Sequence, residues 1–384
     1  MGNILYTTSD RFYVVTDKGI DEYDSEKIMK YRNTVKSIRR KNEWKTSGAG
    51  AKFMNSYVPD DIDDLEIGET RINGVSGSGG DVIYSAVMGE VSGLYRKILH
   101  EDTAEGLVTS TRDVQIFRIS VRGGDCAVGI GKGLERHIAI VDIETGKYRE
   151  LTEGEVREDY PCYSRDGGRI FYSSAGLALS PGGVPVGVGA YALCCYHIRR
   201  NELSELLASN KFDYIVPRED KEGNLLFIKR PYRDSFNRGS LFRDIILFPV
   251  RIVKAIGGLL NAFSILFGGE SLRSGRNARD VKAKQMRERD LFFDGNVINA
   301  QQMLKQNQRR GEKFPGIIPQ SWELTRLDEN GEQSCIKKGV MDYVLCDNGD
   351  IVYSNGNAVI RMSADGSEQR LEKCSMASNL VEVS

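Results

Sequence analysis

Gly129-Ile-Gly131-Lys132-Gly133 sets a lysine among glycines, as a phosphate-cradling loop does. A P-loop needs Gly-x-x-x-x-Gly-Lys followed by Ser or Thr and a helix. Here Gly133 takes the hydroxyl's place in strand-like surroundings, so a hairpin turn is the reading. Gly74-Val-Ser76-Gly-Ser78 falls just short of the Gly-x-Ser-x-Gly nucleophile elbow and lacks the strand-to-helix switch that exposes the serine; it reads as a turn between strands. The acidic pairs Asp60-Asp61 and Asp63-Asp64 have no Asp-x-Asp-x-Asp-Gly loop with a closing Glu, so they read as a solvated loop. His100, His137 and His197 are far apart, whereas a histidine-built zinc site clusters its ligands at short spacing. The seven cysteines include no Cys-x-x-Cys pair, and they are expected as buried thiols of a reducing compartment. From these residues no catalytic group, cofactor or metal site is assigned.

The elements that must carry these residues are short strands. The chain of 384 residues is 40% hydrophobic and 28% charged, with 41 Gly against 9 Pro, the composition of a globular chain with many tight turns. Its net charge of −1 gives no whole-chain case for nucleic acid. The stretch Met1-Gly-Asn-Ile-Leu-Tyr6 has neither the basic start of a secretory signal nor the Ser or Thr of a myristoylation site, so a cytoplasmic protein is expected.

A repeat is visible along the chain. Tyr160-Pro-Cys-Tyr-Ser164-Arg-Asp166-Gly167-Gly168-Arg-Ile170-Phe-Tyr172-Ser173 reads as two strands joined by an Asp-Gly turn. Ser78-Gly-Gly-Asp81-Val-Ile-Tyr84-Ser85 and Asp347-Asn-Gly349-Asp-Ile-Val-Tyr353-Ser354 repeat it; Glu222 to Phe227 and Arg122 to Val128 do so more loosely. A second half follows, clearest in His137-Ile-Ala-Ile-Val-Asp142-Ile-Glu-Thr-Gly146-Lys-Tyr-Arg-Glu-Leu-Thr152, with relatives from Trp322 to Gly331 and Ala358 to Leu371. Each unit thus supplies four strands. Tyr84 and Tyr172 stand two periods of roughly 44 residues apart, in the range of propeller repeats.

The order strand, Ser-x-Asp-Gly turn, Ile-x-Tyr-Ser strand, Asp-x-x-x-Gly turn, Leu-Thr resembles the blade of the TolB-like (WD40-like) propeller repeats, most strongly from Asp113 to Ser173. The resemblance implies an all-β propeller and adds protein interaction to the expected roles. The first unit, Asn3 to Thr8, Arg11 to Thr16 and Ile20 to Asp24, lacks a first strand, and Asn379 to Val383 is a lone alternating strand at the other end. Pairing of the two would close a six-bladed β-propeller and leave no open edge.

Two stretches exceed the period. One is Arg32 to Gly68; the other divides the chain into blades 1 to 5 in part (1–232), a basic insertion (233–313), and the rest of blade 5, blade 6 and the closing strand (314–384). The insertion holds 16 Lys or Arg against 8 Asp or Glu. Within Leu241 to Phe267, at 100° per residue, Arg243, Asp244, Arg251, Lys254, Gly258 and Asn261 share one face, while Phe248, Ile252, Ile256, Leu259, Phe263 and Phe267 share the other. Pro249 and Gly257-Gly258 predict a kinked helix or two short ones. The charges and the short apolar run argue against a membrane span. Three fates stand open for the apolar face: packing on the propeller, docking a partner protein, or lying on a membrane surface with help from Arg273 to Arg289. Base-stacking aromatics are not interleaved with those charges, which disfavours nucleic acid. The functional expectation is a non-catalytic scaffold that binds another protein, with peripheral membrane contact as a further candidate and Phe248, Arg251, Lys254, Leu259, Phe263 and Phe267 as the docking set. The alternative is a hydrolase or lyase with its site in the central channel.

Overall fold

A computed structural model describes residues 2–46, 70–78, 81–99, 105–232, 290–293 and 296–383. The described chain is all-β, built of antiparallel four-strand groups with short connections. β1 (Asn3–Thr8), β2 (Arg11–Thr16) and β3 (Gly19–Asp24) form a meander, and β27 (Ser378–Val383) pairs antiparallel with the free side of β1, Leu5 opposite Val381. Next come β4 (Thr70–Ser78), β5 (Asp81–Met88), β6 (Val91–Ile98) and β7 (Gly106–Thr111), followed by β8 (Gln115–Arg122), β9 (Asp125–Lys132), β10 (Glu135–Asp142) and the three-residue β11 (Tyr148–Glu150). The group of β12 (Val156–Tyr163), β13 (Arg169–Leu179), β15 (Ala192–His197) and β16 (Glu202–Leu207) touches its predecessor through one parallel bridge, Arg136 to Arg157. β14 (Pro185–Val188) folds back on the far end of β13 as an extra hairpin. β17 (Phe212–Glu219), β18 (Leu225–Pro231), β21 (Glu323–Leu327) and β22 (Gln333–Lys338) make a further sheet, and β23 (Asp342–Leu345), β24 (Ile351–Ser354), β25 (Val359–Met362) and β26 (Glu368–Glu372) another.

Burial explains this layering. Second strands such as β5, Asp-Val-Ile-Tyr-Ser-Ala-Val-Met, are continuous apolar runs buried on both faces, whereas fourth strands such as β7 and β11 are largely exposed. The first strands touch one another in series, β27 on β4, β4 on β8, β8 on β12 and β12 on β17, with β23 against β27. An aromatic recurs on the second strand: Tyr6, Tyr84, Tyr172, Phe227 and Tyr353 are all buried and fill the spaces between neighbouring sheets. The predicted hairpins around Asp166-Gly167 and Asp347 to Gly349 are present, and Gly133 sits at the β9–β10 turn with φ 65°. Gly74 to Ser78 departs from its reading as a turn. It lies on β4, where a Cβ at Gly74 would stand 2.9 Å from the backbone of β8, so glycine serves close packing of strands.

Helix α1 (Glu26–Thr46) leaves β3 directly, earlier than the excess placed at Arg32 to Gly68. Ser25 caps it: its Oγ accepts from Ile28 N (3.2 Å) and contacts Tyr84 Oη (2.8 Å), while Ile28 is buried and Arg32 reaches Asp10 and Thr70. Between β18 and β21, the hairpin of β19 (Asp290–Phe293) and β20 (Asn296–Asn299) leads into helix α2 (Ala300–Arg309), capped by Asn299, whose Oδ1 accepts from Gln302 N. Ile298 is buried in a core with Tyr191, Ile317, Ile318 and Trp322, against which Ala300, Met303 and Leu304 pack. Asn307, 1% exposed, donates from Nδ2 to Gly316 O (2.9 Å) and Ile318 O (3.1 Å). Residues 298–318 are therefore knitted into the sheets.

The cysteines divide. Cys126, Cys194, Cys195 and Cys346 are buried thiols as expected, and Cys162 and Cys374 are partly so. Cys335 is exposed, because it sits on the outer strand β22.

Candidate functional site

The first strands share a defect that shapes the space between them. Register shifts fall in β4 between Ile72 and Gly74, in β8 between Ile116 and Ile119, in β12 between Asp159 and Cys162, and in β17 between Ile215 and Arg218. β27 shifts likewise against β1 beside Asn379. These are β-bulges, which kink a strand and re-aim its side chains. Tyr160 (φ 59°), Val216 (φ 57°) and Asn379 (φ 55°) adopt the left-handed region there, a costly place for a β-branched valine. Pro161 and Pro217 follow the first two, and a bulge is the part of a strand that tolerates a missing N–H.

The bulges bring together a polar clasp. Arg118 on β8 donates from Nη1 to Asn379 Oδ1 on β27, lies 3.8 Å from Asp342 Oδ2 at the start of β23, and covers the Tyr160 ring at 5.4 Å. The Asp342 carboxylate also accepts from Tyr343 N (2.8 Å) and Asn379 N (2.6 Å), and its side chain is only 4% exposed. Asn379 Nδ2 donates to Thr7 Oγ1 at 2.8 Å. Arg218 on β17 lies over the Tyr343 ring and reaches Leu380 O at 3.5 Å, while Tyr343 Oη donates to Val216 O at 2.9 Å. One arginine thus joins three sheets, and a buried carboxylate with charge-assisted donors on both oxygens is held as an acceptor. This constellation clamps strands; its groups are engaged with one another.

No model of a protein family matches the sequence, and no curated protein matches it. Solved structures do. TolB from Acinetobacter baumannii aligns over 100% of this chain and 66% of its own, with a TM-score of 0.51 and 11% identity. The nidogen/laminin complex aligns over 100% of this chain and 98% of the matched one, with a TM-score of 0.50 and 8% identity. The fold is that of a TolB-like β-propeller. This chain spans just under two thirds of the TolB chain, and identities this low establish the fold alone.

In the propeller, connections between second and third strands emerge at one end of each blade, opposite those between first and second strands, because every blade is an antiparallel meander. Two of the former are long. One is the hairpin of β13 and β14; the other runs from β18 to β21 in the neighbouring blade. Their bases are joined: Tyr232 Oη donates to Val188 O at 2.8 Å, and Tyr214 N donates to Tyr191 O at 2.9 Å. Comparable connections elsewhere, such as 89–90 and 133–134, have two residues.

The docking set Phe248, Arg251, Lys254, Leu259, Phe263 and Phe267 lies outside the described residues, as do Asp60 to Asp64. Among the described residues no group of three or more His, Cys, Asp or Glu is placed to hold a metal ion, and no helix is long and apolar enough to cross a membrane. Sequence reasoning did not single out Arg118, Arg218, Asp342 or Asn379. The signal that points to them is a proline inside an otherwise regular strand, at Pro161 and Pro217, which marks the bulge level in two repeats and, by alignment, in the others.

Proposed function

We propose that this chain is a six-bladed propeller, closed by β27 completing the β1–β3 blade, that serves as a protein-interaction scaffold. The partner docks on the end that carries the β13–β14 hairpin and the β18–β21 connection. One observation carries this reading: two adjacent blades extend at the same end far beyond what a strand connection needs, and the extension holds a basic, strongly amphipathic stretch. Residues 233–313 have a net charge of +8 in a chain of net −1. Phe248, Leu259, Phe263 and Phe267 then supply apolar anchors, and Arg251 and Lys254 steer an acidic partner. The likeness to TolB and to nidogen, seen in a complex with laminin, supports a protein as the partner. A membrane surface is the second candidate for the same amphipathic stretch.

The test is a deletion of 233–289 that spares Ile298 and α2. The shortened chain is expected to keep its circular dichroism and cooperative unfolding while losing the partner that the intact chain cross-links. Partner capture that survives the deletion, or a deletion that unfolds the chain, refutes the assignment; flotation with liposomes of anionic lipid, lost on the same deletion, assigns the stretch to a membrane instead. A hydrolase or lyase acting in the channel is the alternative. It requires Arg118 and Asp342 to turn toward a substrate, and Arg118→Ala that binds partner normally speaks against it.

A further inference from the structure

Helix α1 carries more charge than its contacts use. Its sequence holds eight Lys or Arg against Glu26 and Glu43, and Glu26 is committed at the first residue, where its Oε2 accepts from Glu105 N (3.1 Å). The helix is anchored near its start: Ile28 is buried, and Arg32 pairs with Asp10 and donates to Thr70 Oγ1 from Nη2 (2.7 Å) and Nε (3.1 Å). Lys30, Lys36, Arg40 and Lys41 are exposed, and among the described residues no carboxylate pairs with any of them. We infer that the partner of this cationic face is the chain's own acidic stretch, Asp60 to Glu69. This contact is independent of the docking end proposed above.

Like charges four residues apart on a helix repel, and Arg32, Lys36 and Arg40 form such a row. Asp10 relieves the first of them. A counter-charge along Lys36 and Arg40 therefore stabilises the part of the helix that stands away from the sheets. Asp60, Asp61, Asp63, Asp64, Glu66 and Glu69 put six carboxylates into ten residues, with no Lys or Arg between Lys52 and Arg71. Beyond Arg32, Ile38 is the one large apolar side chain exposed among the described residues, so the face suits charge pairing and lacks the apolar stripe that a lipid surface takes up.

The chain path selects this occupant. Arg32 holds Thr70, and Glu69 is the residue bonded to it. At no more than about 3.6 Å per residue, Glu69 stays within about 4 Å and Glu66 within about 14 Å of Thr70, measured between Cα atoms. On the helix, Lys36 and Arg40 stand about 6 Å and 12 Å beyond Arg32. Carboxylates are thus kept within reach of both cations at an effective concentration of millimolar order, which a second copy or a free acidic protein has to exceed. Each exposed pair alone is weak, and the tether lets several act together.

The test is a charge-reversal cycle in the full chain, read by hydrogen exchange of the α1 amides 36–41. Lys36→Glu with Arg40→Glu, and Asp64→Lys with Glu66→Lys, should each speed that exchange about fivefold, as the loss of a few exposed ion pairs predicts. With all four substitutions together, exchange should return to within about twofold of the wild type. Amides of β5 serve as the control for the fold and stay unchanged. In the wild type, about 1 M salt, with a screening length of about 3 Å, should speed α1 exchange to the same extent. Effects that add, giving about twenty-five-fold with all four substitutions, overturn the inference, as does an α1 indifferent to salt. Protection that rises with protein concentration assigns the face to a second copy, and shifts of the wild-type α1 amides by double-stranded RNA or by vesicles of anionic lipid at about 0.15 M salt show it open to a polyanion; either result overturns it too.

Discussion

Asn307→Ala measures where the long connection ends and the propeller begins. Asn307 is 1% exposed on α2, and its Nδ2 is the donor to Gly316 O at 2.9 Å and Ile318 O at 3.1 Å. Alanine leaves two buried carbonyls without that donor, at about 1–3 kcal/mol each when water cannot replace it, and adds a small cavity. A loss of about 2–4 kcal/mol of global stability follows, read as a lower urea midpoint at unchanged slope. Asn307→Asp is the control. It keeps the shape but faces the same carbonyls with an acceptor, and a carboxylate buried against two carbonyls is worse than a methyl at neutral pH. The expected order of stability is therefore Asn, then Ala, then Asp. Hydrogen exchange supplies the second readout: the amides of α2 should exchange with those of β21 and β23, because Ile298, Met303 and Leu304 share a core with Trp322 and Tyr343. A change under about 0.5 kcal/mol, or exchange of α2 alone with no shift of the main transition, would show that α2 belongs to a separately melting insertion and refute its assignment to the propeller body.

Glu158 is buried and accepts from Thr152 Oγ1, Ile138 N (3.3 Å) and Ser174 Oγ (3.2 Å), yet desolvation outweighs these bonds and raises its pKa. A raised acid favours the fold in its protonated form, so stability is greatest below the unfolded-state pKa and declines as pH rises through the folded one; urea titrations should show this decline in the wild type and not in Glu158→Gln. Gly74→Ala forces a methyl to 2.9 Å from Phe117 O and Ile119 N, both backbone, and should cost about 1–3 kcal/mol by the same assay, whereas no loss would show that β4 and β8 part freely. Removing residues 374–384 takes away β27 with buried Leu380 and the Asn379 contacts to Arg118, Asp342 and Thr7; limited proteolysis should then cut β1 rapidly, and resistance equal to the intact chain would refute closure by this strand.

Much of the architecture was legible because period and turn chemistry are local. The strands predicted at Asn3 to Thr8, Arg11 to Thr16 and Asn379 to Val383 match β1, β2 and β27 closely, since each alternates or runs apolar and stops at a turn. Their pairing followed from counting strands per repeat. The clasp was not legible: Arg118, Asp342 and Asn379 are separated by up to 261 residues, and only the packing of first strands from different sheets makes them neighbours. α1 was obscured for a different reason. Charged and polar residues dominate its sequence, so it gives a weak apolar period, and among the described residues its one buried side chain is Ile28.

The first strands and the outer connections thus carry different structural burdens. At the level of the bulges, strain at Tyr160, Val216 and Asn379 is offset by Arg118 and Asp342, whose bonds cross between sheets that short turns cannot join. With the first strands clamped in this way, a second-to-third strand connection is free to vary in length, although Ile298 and α2 of the β18–β21 connection still pack in the core with Trp322 and Tyr343. That freedom is used unevenly: most second-to-third strand connections stay at the length of a turn, while the two that grow are adjacent and tied at their bases by Tyr232 and Tyr214. A long loop costs little once its ends are fixed close together, since closure entropy rises only with the logarithm of its length. Its position on a clamped blade therefore makes the basic stretch affordable to the fold, and its composition, more apolar than a solvated loop requires, supports a docking role.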